Sequence, residues 1–108
     1  MVFNMKGHSY MTDLPDENTL DKMEDLLNIA SDCTRLKILY AISDHEANVS
    51  EIVVAVGASQ SLVSHQLKVL RKAHLVATHK EGHKVFYQLA DDHVMKLLEV
   101  VHEHVVEK

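Results

Sequence analysis

Residues 49–73 read VSEIVVAVGASQSLVSHQLKVLRKA, two apolar-periodic runs separated by a glycine. The first run predicts a helix over 49–56, capped by Asn48 or Ser50. Gly57 ends it, at a position where a positive φ is commonly required. The second run predicts a helix from Ser59 or Gln60 to about Ala73, with Leu62, Val63, Leu67 and Leu70 turned inward. Gln60, Ser61, Ser64, His65, Lys68 and Arg71 are left for the outer face. Helix, short glycine-containing turn, helix is the helix-turn-helix pattern.

Downstream, two runs of β-branched and aromatic residues, 75–79 and 84–89, flank Lys80-Glu81-Gly82-His83 and predict a hairpin. A helix-turn-helix followed by a hairpin is a winged helix. Upstream, a first helix is predicted over 16–30, with Leu20, Met23, Leu26, Leu27 and Ala30 as its apolar stripe and Pro15 before it. A second runs over about 32–43 and places Leu36, Ile38, Leu39 and Ile42 in the core. Cys33, at its start, is expected to be a small buried filler. Residues 1–15 lack apolar periodicity and read as a flexible arm, in which His8 is the one side chain of note. Residues 16–108 then form one DNA-binding and dimerisation domain. The fold class is mainly α, a winged helix-turn-helix of five helices and a two-stranded β-hairpin wing.

A helix that enters a major groove needs short polar side chains near its N-terminus and cations beside the phosphates. Gln60, Ser61, Ser64 and His65 suit the first requirement; Lys68, Arg71, Lys72 and the wing residues Lys80 and Lys84 suit the second. The alternative for each is a solvated face. The charge distribution favours the set: from Ser59 to Lys84 five cations stand against Glu81 alone, a local +4 in a chain of net −5, so the remainder carries −9. An acidic body with one basic segment binds double-stranded operator DNA through that segment and sticks less elsewhere.

The last helix, predicted over 91–108, carries Asp91 with His93 and His104 with Glu107. Eleven residues separate the two histidines. At about 100° and 1.5 Å per residue they share a face but lie roughly 16 Å apart along the axis. One ion with bonds of about 2 Å cannot join them within one helix. An antiparallel second copy brings the two pairs together twice, making a homodimer with two equivalent sites. Val94, Leu97, Leu98, Val101 and Val105 recur at helical spacing and supply a surface to bury there. Residues at i and i+2 do not face each other on a helix, so Asp91 is expected as the N-cap. The alternative is a solvated polar end to an amphipathic helix. His102 points away from His104 and reads as a bystander.

The single cysteine forbids an internal disulfide and suits a reducing cytoplasm. No apolar run approaches a membrane span, and the N-terminus lacks the layout of a signal peptide. No nucleophile–base pair is evident, and the HEH at 102–104 is not a zinc-protease motif, because Val106 stands where a second histidine is needed. An enzyme is not expected.

SDCTRLKILYAI, SQSLVSHQLKVLRKAHLV and HKVFYQLADDHV together resemble the ArsR/SmtB family of metal-responsive winged-helix repressors, over nearly the whole chain after the arm. Cys33 stands where the family more usually has proline. Many arsenic, cadmium and lead sensors of the family carry Cys-x-Cys in the third helix; NVSEIVVAV has no cysteine there. The chain is instead similar to the zinc and cobalt sensors, whose last-helix pattern Asp91, His93, His104 and Glu107 match in full. Two imidazoles and two carboxylates suit Zn(II) as effector, with Co(II) in similar geometry, and leave no open position for catalysis. The resemblance implies a metal-free dimer that binds operator DNA and is released by metal, derepressing an efflux or sequestration gene. It also implies that His104 donates its second ring N–H to a carbonyl near His74, coupling metal to the recognition helix. Alternatives are a nickel or cobalt sensor that recruits His8, and a repressor in which Cys33 responds to oxidants.

Overall fold

A computed structural model describes residues 13–107. His8 and Lys108 lie outside the described residues, as does nearly all of the predicted arm. Five helices and one hairpin follow in the order α1 (Glu17–Ala30), α2 (Cys33–Ala41), α3 (Val49–Val56), α4 (Gln60–Lys72), β1 (Val76–Glu81), β2 (Lys84–Leu89) and α5 (Asp92–Val106). This is the winged helix-turn-helix expected.

Capping chemistry sets the helix starts. Asp16, Asp32, Asn48, Ser59 and Asp91 each sit in extended backbone and accept from a backbone N–H of the following turn. At Asn48 the bond is reciprocal, since Glu51 Oε1 accepts from the Asn48 N–H at 2.9 Å. The Thr19 N–H bonded to Asp16 holds that carboxyl below its ordinary 3.8. Gly57 has φ 76 and closes α3 in the left-handed region.

α4 ends differently. His74 takes φ 61 without being glycine. The His74 N–H donates to the Arg71 carbonyl and the Leu75 N–H to that of Leu70, both at 3.0 Å. This Schellman closure turns the chain sharply from α4 into β1.

One core joins the helix-turn-helix to the wing and to α5. Ile38, Leu39 and Ile42 meet Ile52 of α3, Val63, Leu67 and Leu70 of α4, Leu75 and Val76 at the start of the wing, and Val94 and Leu98 of α5. Burying each such side chain stabilises by about 1.5–3 kcal/mol. Arg35 ties three elements together: Nε donates to the Ile29 carbonyl at 2.7 Å, and a terminal nitrogen to Gln66 Oε1 at 3.1 Å. Tyr40 OH donates to the Leu98 carbonyl at 3.1 Å and fixes α5 over α2.

Several expectations are corrected. Leu62 is 40% exposed rather than inward; on α4 it lies about 80° from Leu70, about 100° from Val63 and about 140° from Leu67, off the edge of the buried arc. Cys33 is exposed, not a buried filler, because the first residue of α2 precedes the turn that reaches the core. α2 closes at Ala41, with Ile42 as its C-cap. β1 begins at Val76 and extends to Glu81, so the hairpin turn is only Gly82-His83, with Glu81 opposite Lys84. A two-residue turn needs a positive φ at its first position, and Gly82 supplies φ 64. α5 ends at Val106 rather than at 108. Val94 and Leu98, expected at a dimer surface, are buried inside the chain at 5% and 4% exposure. The wing and α2 cover them, which leaves Leu97, Val101 and Val105 for any partner.

Candidate functional site

α4 presents its polar residues over an arc of about 140°, centred on Lys68. Gln60, Ser61, His65, Lys68, Arg71 and Lys72 are exposed there, while Ser64 is half-buried. Opposite that arc, Val63, Leu67 and Leu70 anchor the helix in the core. Lys80 and Lys84 are exposed near the tip of the wing, on neighbouring strands. A convex basic helix beside a basic hairpin matches the shape of a major groove and its flanking phosphates.

Asp91 is the N-cap of α5, as expected. Its Oδ1 accepts from the His93 N–H at 2.9 Å and the Val94 N–H at 3.3 Å. His93 Nδ1 lies 3.5 Å from the same oxygen, and both side chains are largely exposed. Both backbone bonds use Oδ1, so Oδ2 can ligate while the cap is kept. His104 and Glu107 are exposed at the far end of α5. Within one chain the two pairs do not meet. The donor set suits a borderline divalent ion only if a second chain completes it. A groove of about 370 Å³ between α1, α2 and α5, lined by Leu27, Tyr40, Leu97, Val101 and Val105, flanks these side chains. His102 also lines it and meets the Tyr40 ring edge-on at 6.4 Å, a packing contact on the side of α5 away from His104. Among the described residues nothing donates to the His74 carbonyl, and the His74 ring is exposed. A bond from His104 to that carbonyl is therefore not made within one chain.

A cluster that spacing did not reveal lies where the loop before α3 meets the outer half of the wing. Glu46, His79 and Glu81 bring one ligand atom each within 4.8 Å of one another. His79 and Glu81 share a strand face, which i and i+2 spacing signals, but Glu46 arrives from the loop before α3. That loop is pinned by a bridge between Ala47 and Tyr87. A cleft of about 320 Å³, lined by Asp44, His45, Asp91 and Asp92, runs from Glu46 to the start of α5.

The sequence pattern described as "Bacterial regulatory protein, arsR family" matches residues 32–78, from the α2 cap into β1. The chain is 36% identical over 96 residues to a "Transcriptional repressor SmtB homolog" of Synechocystis sp., an alignment spanning 86% of this chain and 73% of that relative. It is 33% identical over 93 residues to a "Cadmium resistance transcriptional regulatory protein CadC homolog" of Staphylococcus aureus, spanning 85% and 76%. A homodimeric winged helix-turn-helix DNA-binding domain from Mycobacterium bovis, described as a possible ArsR-family transcriptional regulator, superposes with a TM-score of 0.79 at 26% identity, over 95% of this chain and 92% of that one. The family pattern covers the helix-turn-helix and the start of the wing, and the alignment to the SmtB homolog spans most of the chain; the chain is a transcriptional regulator rather than an enzyme, and it belongs to the ArsR family of bacterial regulatory proteins.

Proposed function

We propose that the chain is a zinc-responsive repressor that works as a homodimer. The metal-free dimer binds double-stranded operator DNA through Gln60, Ser61, Ser64, His65 and the cations Lys68, Arg71, Lys72, Lys80 and Lys84. Asp91 and His93 of one chain, with the partner subunit's His104 and the partner subunit's Glu107, hold the effector. The observation that carries this is the arrangement on α5: a capping Asp91 with His93 beside it, a second His/Glu pair on the same helix face, and an uncovered apolar strip between them. Val101 is 51% exposed and Val105 63%, a cost that a second copy of α5 removes. The cadmium-resistance relative supports a metal effector. The absence of cysteine from α3 and the N/O donor set favour zinc, with cobalt in similar geometry.

When bound, zinc supplies a cross-link between the two chains and fixes the ends of the paired helices. The rest follows from linkage. Effector and DNA oppose each other only if the dimer packing that joins the two α5 pairs holds the α4 helices at a spacing DNA binds less well. A coupling of about 1–3 kcal/mol changes DNA affinity roughly 5–150-fold. The proposed carrier of that coupling is His104, through a backbone carbonyl near His74 in the assembled dimer.

The experiment is a fluorescence titration of the metal-free protein on an operator fragment selected from genomic DNA. Stoichiometric zinc should weaken binding at least fivefold. His104→Gln should lose both zinc binding at α5 and the zinc-dependent release of DNA, and normal release in that variant would refute the route through His104. Unchanged DNA affinity in zinc would remove the effector role. An oxidant-responsive repressor is the second reading, favoured by the exposure of Cys33; in that case Cys33→Ser abolishes the response and Asp91→Ser does not.

A further inference from the structure

We infer that Glu46, His79 and Glu81 form a second divalent-cation site, one per chain, where the loop before α3 meets the wing. It is separate from the α5 ligands and complete within a single chain. Its preferred occupant is a borderline first-row ion such as zinc.

The distances carry the inference first. His79 Nε2 lies 3.0 Å from Glu46 Oε2 and 3.2 Å from Glu81 Oε2. Around a tetrahedral ion with bonds of about 2.0–2.1 Å, donor atoms stand about 3.3–3.4 Å apart. The two separations from His79 need to widen by only a few tenths of an ångström to receive an ion, and all three ligand atoms already lie within 4.8 Å of one another. The fourth position faces solvent, since Glu81 is 66% exposed, and water can fill it.

The bonding without an ion is poor. Nε2 carries at most one hydrogen, so it can donate well to only one of the two carboxylates. With the proton on Nδ1 instead, a lone pair faces two anions. Lys80 and Lys84 are on the same wing, but among the described residues neither makes an ion pair with Glu46 or Glu81. A divalent ion satisfies all three donors at once.

The donors are also held in place. The His79 ring stacks on Phe86, its cross-strand partner, with centroids 5.6 Å apart and planes at 22°. Tyr87 N–H donates to the Ala47 carbonyl at 2.8 Å and Ala47 N–H to that of Tyr87 at 3.0 Å, fixing the residue next to Glu46. Such bracing of ligands is what metal sites require beyond the ligands themselves. An ion here ties the wing to the loop that starts the helix-turn-helix and offsets two negative charges beside the DNA-facing lysines. A filled site therefore favours DNA binding, opposite in sign to the effector on α5.

The test uses the full-length protein and zinc alone, with the α5 ligands removed as Asp91→Ser plus His104→Gln. Calorimetric titration should still give one ion per chain. Adding His79→Gln, or in its place Glu81→Gln, should weaken that binding at least tenfold, since a direct ligand counts for no less than its outer partners. The Nε2 nitrogen resonance of His79 should move on loading in the protein with intact wing residues. Circular dichroism checks that each variant is folded. Retained binding in both wing variants, an unmoved His79 resonance, or no binding once the α5 ligands are gone would each overturn the site. None of these results depends on whether the α5 ligands bind metal or control DNA.

Discussion

Asp91 has two duties that one pair of substitutions separates. Its Oδ1 caps α5 through bonds of 2.9 and 3.3 Å, and its carboxylate is a proposed ligand. Ala at an N-cap costs about 1 kcal/mol, whereas Ser caps about as well as Asp. For a domain of this size 1 kcal/mol lowers Tm by about 4–8 °C. Thermal unfolding at fixed chain concentration, without metal, should therefore show Asp91→Ala some 4–8 °C below the natural protein and Asp91→Ser close to it. Zinc at a hundredfold excess over its dissociation constant stabilises each site by about 2.7 kcal/mol. Removing a direct ligand weakens binding by roughly a hundredfold, which cuts that gain to about 0.4 kcal/mol. Both variants should then lose most of the zinc-dependent rise, measured in a His79→Gln background so that the wing adds nothing. If Asp91→Ser kept the full rise, Asp91 would be a cap and not a ligand. If it lost stability without metal as Ala does, the capping account would be wrong.

Lys68→Ala should weaken DNA binding evenly across sequences and reduce the salt slope by about one for each half-site contacted, as read from affinity against salt concentration. His74→Gly should raise Tm, because a non-glycine residue in left-handed backbone costs roughly 1 kcal/mol, and should leave zinc release of DNA intact, since only the backbone is invoked. Val101→Glu should shift sedimentation toward the monomer and abolish zinc binding at α5 together with tight DNA binding; a variant that stays dimeric would place the interface elsewhere.

What was legible in the sequence is what local rules write. The caps Asn48, Ser59 and Asp91, the terminator Gly57 and the 3.6-residue apolar period each act within a turn or two, so element order and the helix-turn-helix could be read directly. Facing is less local. Leu62 is apolar and so reads as inward, but its angle on α4 puts it outside the buried arc. Val94 and Leu98 carry the same stripe as Val101, but only the tertiary fold decides which part of a stripe meets the wing and which stays uncovered. The proposed α5 pairs follow helix geometry, and by the same geometry they cannot meet in one chain. The Glu46–His79–Glu81 cluster joins a loop to a strand more than thirty residues on, through the Ala47–Tyr87 bridge, and no spacing announces that. Nor did any glycine mark the left-handed turn at His74.

The sharing of one site between two chains is tested most directly by mixing two defective proteins. One carries Asp91→Ser and His93→Gln, the other His104→Gln and Glu107→Gln, both in a His79→Gln background. Neither homodimer holds a complete site, but each mixed dimer regains one. Random exchange at equal concentrations should restore about a quarter of the tetrahedral Co(II) absorption of the dimer with intact α5 ligands, because half the dimers are mixed and each has one of two sites. No gain on mixing would contradict an α5 site built across the dimer.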